Sequence, residues 1–304
     1  MAKSPLTSRT RRDRRVPHCS RWPLPSMAPL AHALALLAMT LATAAIDVKW
    51  MDTAPNSFDD QYLGCGPAMT AALPALNRSE FQKNPLFAEV WLKAVAEWKD
   101  RGSRVSPLSS PAQAIALRAY TMEEMRLYQE FNAAMREAGS SSWKYRNEFH
   151  FKSLHFLLTQ ALQKLRRPNQ CYDVHRGVKN TQFNVNKNDK VRFGQFASSS
   201  MDIKVAWKFG HGTIFKVNTC HGVDIQGFTS FPEEEEVLIP PFETFKVTNV
   251  SKIGNTMVID LQSTGNASNY NCEWLKGGSL PRNSPHLGGL LLATVAMAVV
   301  TGTL

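Results

Sequence analysis

One stretch of the chain crowds acidic side chains in front of a short apolar run: Phe231-Pro232-Glu233-Glu234-Glu235-Glu236-Val237-Leu238-Ile239-Pro240-Pro241. In an extended chain successive side chains point to opposite faces. Glu234 and Glu236 would then share one face, ~7 Å apart, with Glu233 and Glu235 on the other. Val237-Leu238-Ile239 would anchor the last acid in a core, and the earlier acids would sit on a loop. A catalytic carboxylate is commonly mounted in that way. An isolated acidic run is more often a solvated surface, so its meaning depends on the residues around it.

Two other stretches carry suitable chemistry. In His175-Arg176-Gly177 the guanidinium offers a rigid donor fork for a phosphate or carboxylate. Gly177 would let a ligand approach the backbone. In Val191-Arg192-Phe193-Gly194-Gln195-Phe196-Ala197-Ser198-Ser199-Ser200 a strand pattern runs into hydroxyls. Ser198 and Ser200 share a face. Ser198 suits a ribose or a carboxylate, and Ser200 suits a cap for the helix that follows. The chain has no G-x-S-x-G elbow, no Gly-rich dinucleotide fingerprint and no P-loop. His150, His155, His211 and His221 are scattered and read as structural or exposed.

The elements that must position these residues change character near residue 168. Before it, apolar residues recur at helical spacing in Phe87–Trp98, Ala112–Tyr120, Tyr128–Ala138 and Leu154–Leu165. After it come short β-branched or alternating runs: Tyr172–Val178, Lys190–Ala197, Thr213–Val217, Glu235–Ile239, Phe245–Val250 and Met257–Leu261. A short helix over Asp202–Phe209 interrupts them. The expectation is an α+β domain over 46–277, mainly helical over 46–168 and mainly β over 169–277.

The 304 residues carry a net charge of +10, but the excess is uneven. Residues 1–45 hold seven basic side chains and one acid; residues 46–277 hold 27 basic and 24 acidic, a net of +3. With no basic stripe in the folded part, nucleic-acid binding is not expected. Residues 1–45 read as a signal peptide with a basic leader: an apolar run from Pro29 to Leu41 precedes Ala42-Thr43-Ala44-Ala45. Met27 offers a second start. The apolar run is too short for a membrane span, which needs ~20 residues. Residues 278–304 read as a glycolipid-anchor signal behind small residues at Gly277-Gly278-Ser279, with a tail-anchored helix as the alternative.

Outside the leader there are four cysteines, an even count that suits two disulfides in an exported chain. Three pairings are possible. A Cys65–Cys272 bridge would pin both ends of the mature chain, and Cys171–Cys220 would then flank the strand segment of interest. No Cys-x-x-Cys spacing suggests zinc. Asn77, Asn249 and Asn266 open Asn-x-Ser sequons.

The order Arg176, Ser198-Ser199-Ser200, Glu234-x-Glu236 resembles the R-S-E pattern of the arginine-specific mono-ADP-ribosyltransferases, in particular the vertebrate glycolipid-anchored ectoenzymes. Ser57–Tyr62, Glu130–Ala134, Phe151–Leu158, Phe193–Ser200 and Glu235–Phe245 are similar to that family in the same order. The resemblance implies a helical N-terminal part packed on a β-rich, NAD-binding core. It implies an enzyme that splits NAD⁺ between nicotinamide and ribose and passes ADP-ribose to a target guanidinium. NAD⁺ would be a consumed substrate, with no cofactor permanently bound and no metal. Arg176 would hold the phosphates, Ser198 the nicotinamide ribose, and Glu236 would be the catalytic carboxylate. Glu234 would receive the acceptor. Tyr120, Gly177 and Gln195 would line the NAD pocket, and Thr229 and Ser230 would lie on the loop presenting the acids. The targets would be arginine-bearing extracellular proteins, met by a monomer on the outer leaflet of the plasma membrane.

Bond cleavage of this kind places positive charge on the ribose, as in glycoside hydrolysis. Two alternatives stay open. One is an enzyme that mainly hydrolyses NAD⁺, which the first acid of E-x-E argues against. The other is a catalytically silent surface binding domain, which the intact three-residue pattern argues against.

Overall fold

The computed structural model describes residues 46–277. The leader over 1–45 and the anchor signal over 278–304 lie outside the described residues.

A short strand, β1 (Asp47–Trp50), precedes the helical half. Six helices follow: α1 (Gly66–Lys83), α2 (Pro85–Asp100), α3 (Pro111–Thr121), α4 (Leu127–Ala138), α5 (Ser142–Asn147) and α6 (Lys152–Leu165). Helix starts carry recognisable signals. Pro85 and Pro111 occupy the first turns of α2 and α3, where no backbone N–H is needed. The Asn84 side chain accepts a hydrogen bond from the Phe87 N–H at 2.9 Å. Helix α1 escapes the sequence reading because it contains Pro74 and buries only Met69, Leu76 and Glu80.

The β half comprises β2 (Tyr172–Val178), β3 (Thr181–Asn184), β4 (Lys190–Val191), β5 (Ala197–Ser200), α7 (Ile203–Phe209), β6 (Thr213–Thr219), β7 (Val223–Asp224), β8 (Glu236–Ile239), β9 (Glu243–Ile253) and β10 (Thr256–Asn266). A last turn of helix, α8, spans Glu273–Lys276. Eight strands form one mixed sheet in the order β4-β9-β10-β6-β2-β5-β8-β7, and β1 pairs with β3 apart from it. The β10–β6 pair is parallel.

One sequence expectation fails instructively. Lys190–Ala197 is not a single strand, because Gly194 adopts φ 63° and turns the chain between β4 and β5. A Cβ there would stand 2.3 Å from that of Ala54.

Apolar side chains form two clusters. The larger joins the helices to one sheet face through Phe196, Val223, Ile225, Phe228 and Leu238. The smaller, with Val174, Phe215, Phe245 and Ile259, covers the other face. Strand β8 alternates between them: Val237 and Ile239 enter the smaller cluster, Leu238 the larger. All four of its residues are buried. Both disulfides are present, Cys65–Cys272 and Cys171–Cys220.

Both ends of the domain meet at Asp59 and Asp60. Asp59 pairs with Arg192 at 2.5 Å and accepts hydrogen bonds from the N–H groups of Asn269 and Tyr270. Asp60 accepts from the N–H groups of Tyr62, Cys272 and Glu273.

Candidate active site

The strand order brings the three sequence-selected residues together. Arg176 lies on β2, Ser198 on β5 and Glu236 on β8, three consecutive strands of the sheet. Ser198 pairs with Leu238 in the β5–β8 ladder, and Ser200 with Glu236. The side chains meet in a cavity of about 320 Å³ whose lining also includes Tyr120, Gly177 and Glu234.

Arg176 is half-buried, and its Nη1 donates to the Ser198 carbonyl at 2.5 Å. Burial lowers its proton affinity, while Tyr120 and Glu236 act in the opposite direction. The guanidinium therefore presents a charge in a site with little solvent to screen it. Glu236 is 5% exposed. Its Oε2 accepts a hydrogen bond from Thr229 Oγ1 at 3.0 Å. Burial pushes its carboxyl up; the hydroxyls of Ser198 and Thr229 and the Arg176 charge pull it back.

The two acids share a wall for a different reason than strand alternation. Pro232–Glu234 is a single 3₁₀ turn, and Glu235 is left-handed with φ 47°. Strand β8 begins only at Glu236. The turn exposes Glu233 and Glu235 and returns Glu234 to the cavity. Glu234 is pushed up to about 7, first by burial and then by Glu236, Glu123 and Glu233.

Tyr120 is buried and its hydroxyl donates to the Phe196 carbonyl at 2.9 Å. Burial pushes it up to about 12. Gly177 lines the cavity, but its missing side chain serves packing. A Cβ there would lie 1.9 Å from the Ala206 carbonyl oxygen on α7, so only glycine lets that helix rest on β2. Ser200 Oγ accepts from the Asp202 N–H at 2.9 Å, and Asp202 itself caps α7.

Three selected residues lie outside the cavity lining. Gln195 accepts a hydrogen bond from Arg136. Thr229 acts on Glu236 from behind. The Ser230 N–H donates to Thr121 Oγ1 at 3.1 Å, tying the acidic loop to α3.

The structure adds residues that sequence reasoning missed. Glu123, in a 3₁₀ turn after α3, lines the cavity and raises both Glu234 and Glu236 by its charge. Asn132 of α4 donates to the Tyr120 hydroxyl at 3.2 Å. Asn132 falls within Glu130–Ala134, so the resemblance touched it without marking it. Glu123 sits in an exposed acidic turn with no periodicity to distinguish it.

The family model described as ART: NAD:arginine ADP-ribosyltransferase matches residues 51–269. The chain is 48% identical over 255 residues to the chicken (Gallus gallus) NAD(P)(+)–arginine ADP-ribosyltransferase 2, covering 82% of this chain and 81% of that protein. It is 43% identical over 268 residues to the human (Homo sapiens) GPI-linked NAD(P)(+)–arginine ADP-ribosyltransferase 1, covering 82% of each. Among solved structures it resembles the eukaryotic mono-ADP-ribosyltransferase ART2.2. The TM-score is 0.64 at 38% identity, covering 74% of this chain and 98% of that one. A mutant of ART2.2 has been crystallised in complex with NADH. On this sequence similarity, and with the fold to match, the chain belongs to the NAD:arginine ADP-ribosyltransferase family.

Proposed function

We propose that the protein transfers ADP-ribose from NAD⁺ to arginine side chains of extracellular proteins and releases nicotinamide. The observation that carries this reading is the placement of Arg176, Ser198 and Glu236 on adjacent strands around one cavity, with Glu234 on its wall. The residues match the reaction in kind. The Arg176 fork suits the pyrophosphate, and the Ser198 hydroxyl suits the nicotinamide ribose. Glu236 supplies negative charge where the ribose becomes oxocarbenium-like. A fixed, desolvated carboxylate needs little reorganisation as that charge develops, and Thr229 holds its orientation.

Glu234 takes the acceptor guanidinium. A carboxyl held near 7 ionises readily when a cation arrives and can then orient the attacking nitrogen or take its proton. Glu123 adds to the negative potential that draws the guanidinium in.

The chain is proposed to act as a monomer at the outer cell surface. In this reading residues 1–45 are removed on export, and residues 278–304 are exchanged for a glycolipid on Gly277. The human relative's printed name, GPI-linked, supports the anchor. No helix among the described residues is long and apolar enough to cross a membrane. Asn249 and Asn266 are exposed and Asn77 is half-buried, and each is proposed to carry a glycan.

The test is to incubate the purified full-length protein with NAD⁺ labelled in the adenosine and with an arginine-bearing acceptor, then separate free ADP-ribose from modified arginine. Label on arginine in excess of free ADP-ribose is expected. Free ADP-ribose alone would make the protein a hydrolase, and intact NAD⁺ would make it a binding domain.

A further inference from the structure

The helical layer and the loop leading to Glu234 enclose a second cavity, also of about 320 Å³. Its lining includes Arg101, Arg104 and Arg118, with Trp98, Phe228 and Thr229. Arg118 is 5% exposed, and its Nη1 donates to Glu97 Oε2 at 3.3 Å. Arg101 Nη2 donates to the Ser230 carbonyl at 3.2 Å. The Arg104 guanidinium lies over the Phe228 ring, 5.3 Å from its centroid. Neither Arg101 nor Arg104 forms an ion pair among the described residues.

Three positive charges thus border one cavity, answered by a single carboxylate that is itself partly exposed. Arg118 is buried, Arg101 and Arg104 stand exposed on the rim, and like charges gathered around one cavity repel, most strongly where the buried guanidinium is least screened. Burial lowers the proton affinity of Arg118, and the Arg101 charge adds to the effect. A dianion between the three would reverse the sign of that repulsion. Guanidinium forks match tetrahedral oxyanions in geometry as well as charge. We propose that this second cavity is a binding site for a tetrahedral oxyanion, a phosphate or sulfate group, separate from the dinucleotide cavity.

The site adjoins the acidic loop from behind. Thr229 lines it and also donates to Glu236 Oε2. Arg101 lines it and also holds the Ser230 carbonyl. A bound anion fixes Arg101 and with it the segment 226–232. The cavity exceeds the size of one oxyanion, which leaves room for an ester substituent against Trp98 and Phe228.

The experiment follows thermal unfolding and amide exchange of the full-length protein in inorganic phosphate, inorganic sulfate and chloride at matched ionic strength. At about ten times its Kd the bound anion raises Tm by roughly 3–5 °C over chloride. It also slows amide exchange in 226–232. Equal response to both anions assigns the site to the shared charge and shape; response to one alone names the source. Arg101→Gln/Arg104→Gln removes both effects while nicotinamide release in chloride stays within about twofold. Because the two substituted residues are on the cavity rim, Arg118 and its Glu97 pair stay intact and the fold is kept. Two results overturn the proposal. One is no difference between the oxyanions and chloride. The other is a shift that survives in the double variant, which places the anion elsewhere, for example at Arg176.

Discussion

Glu236 and Glu234 are separated by one residue and line one cavity, yet their backbone settings differ. Glu236 is the buried first residue of a strand packed on both faces, and Glu234 ends a half-exposed turn. Glu236→Gln keeps shape and burial but removes the charge that, in the proposed mechanism, faces the ribose. Nicotinamide release should fall by about 10²–10³-fold, the scale of losing one electrostatic stabiliser, with unchanged circular dichroism. Glu234 ionises as pH rises through about 7. Acceptor transfer should therefore rise across that range, and Glu234→Gln should flatten the rise while leaving some NAD⁺ hydrolysis. The same shift has a stability consequence of definite sign. The folded state holds the Glu234 proton to a higher pH than the unfolded chain does, so this group's contribution falls between the usual carboxylate range and about 7. Glu234→Gln should raise Tm relative to the parent at pH 8 more than at pH 5. The exposed Glu233 and Glu235 should tolerate Gln with activity within about twofold in the same assay.

The elements that hold these residues were readable to different depths. Strand β2 was legible to the residue, because Tyr172–Val178 is bounded by Cys171 on one side and by polar residues on the other. The three site residues were legible by type and order. Their meeting was not, since it depends on β2, β5 and β8 being neighbours while β3, β4, β6 and β7 lie between them in sequence. Nor was the shared wall of Glu234 and Glu236 legible for the right reason: a left-handed Glu235 leaves no period to detect. Gly177 shows a local signal with a distant cause. Its smallness is set by the Ala206 carbonyl of α7, about thirty residues on in the chain. Gly177→Ala should force α7 away from β2. It should cost at least about 1–3 kcal/mol, as overpacking does, read as a lower denaturation midpoint together with weaker NAD⁺ binding.

At the scale of the molecule the helical and β halves are tied through Asp59 and Arg192, a buried pair that links the segment before α1 to the turn between β4 and β5. Removing one partner of such a pair leaves an uncompensated charge. Arg192→Met should cost about 3–5 kcal/mol, measured by denaturant unfolding. Replacing Asp59 as well, by Leu, should recover part of that loss. Next to that pair, Asp60 and the Cys65–Cys272 bridge fasten the C-terminal segment, and they do so within a few residues of Gly277.

That closure decides where mechanical load would travel. A pull on residue 277 reaches Cys272 after five residues, where the covalent bridge to Cys65, at the head of α1, shares it with the backbone. Strand β10 ends at Asn266, six residues before the bridged Cys272, so it receives only the part of the pull that the bridge does not take. Tension at residue 277 would therefore be divided, the helical layer taking a share that would otherwise fall on the sheet of Arg176, Ser198 and Glu236.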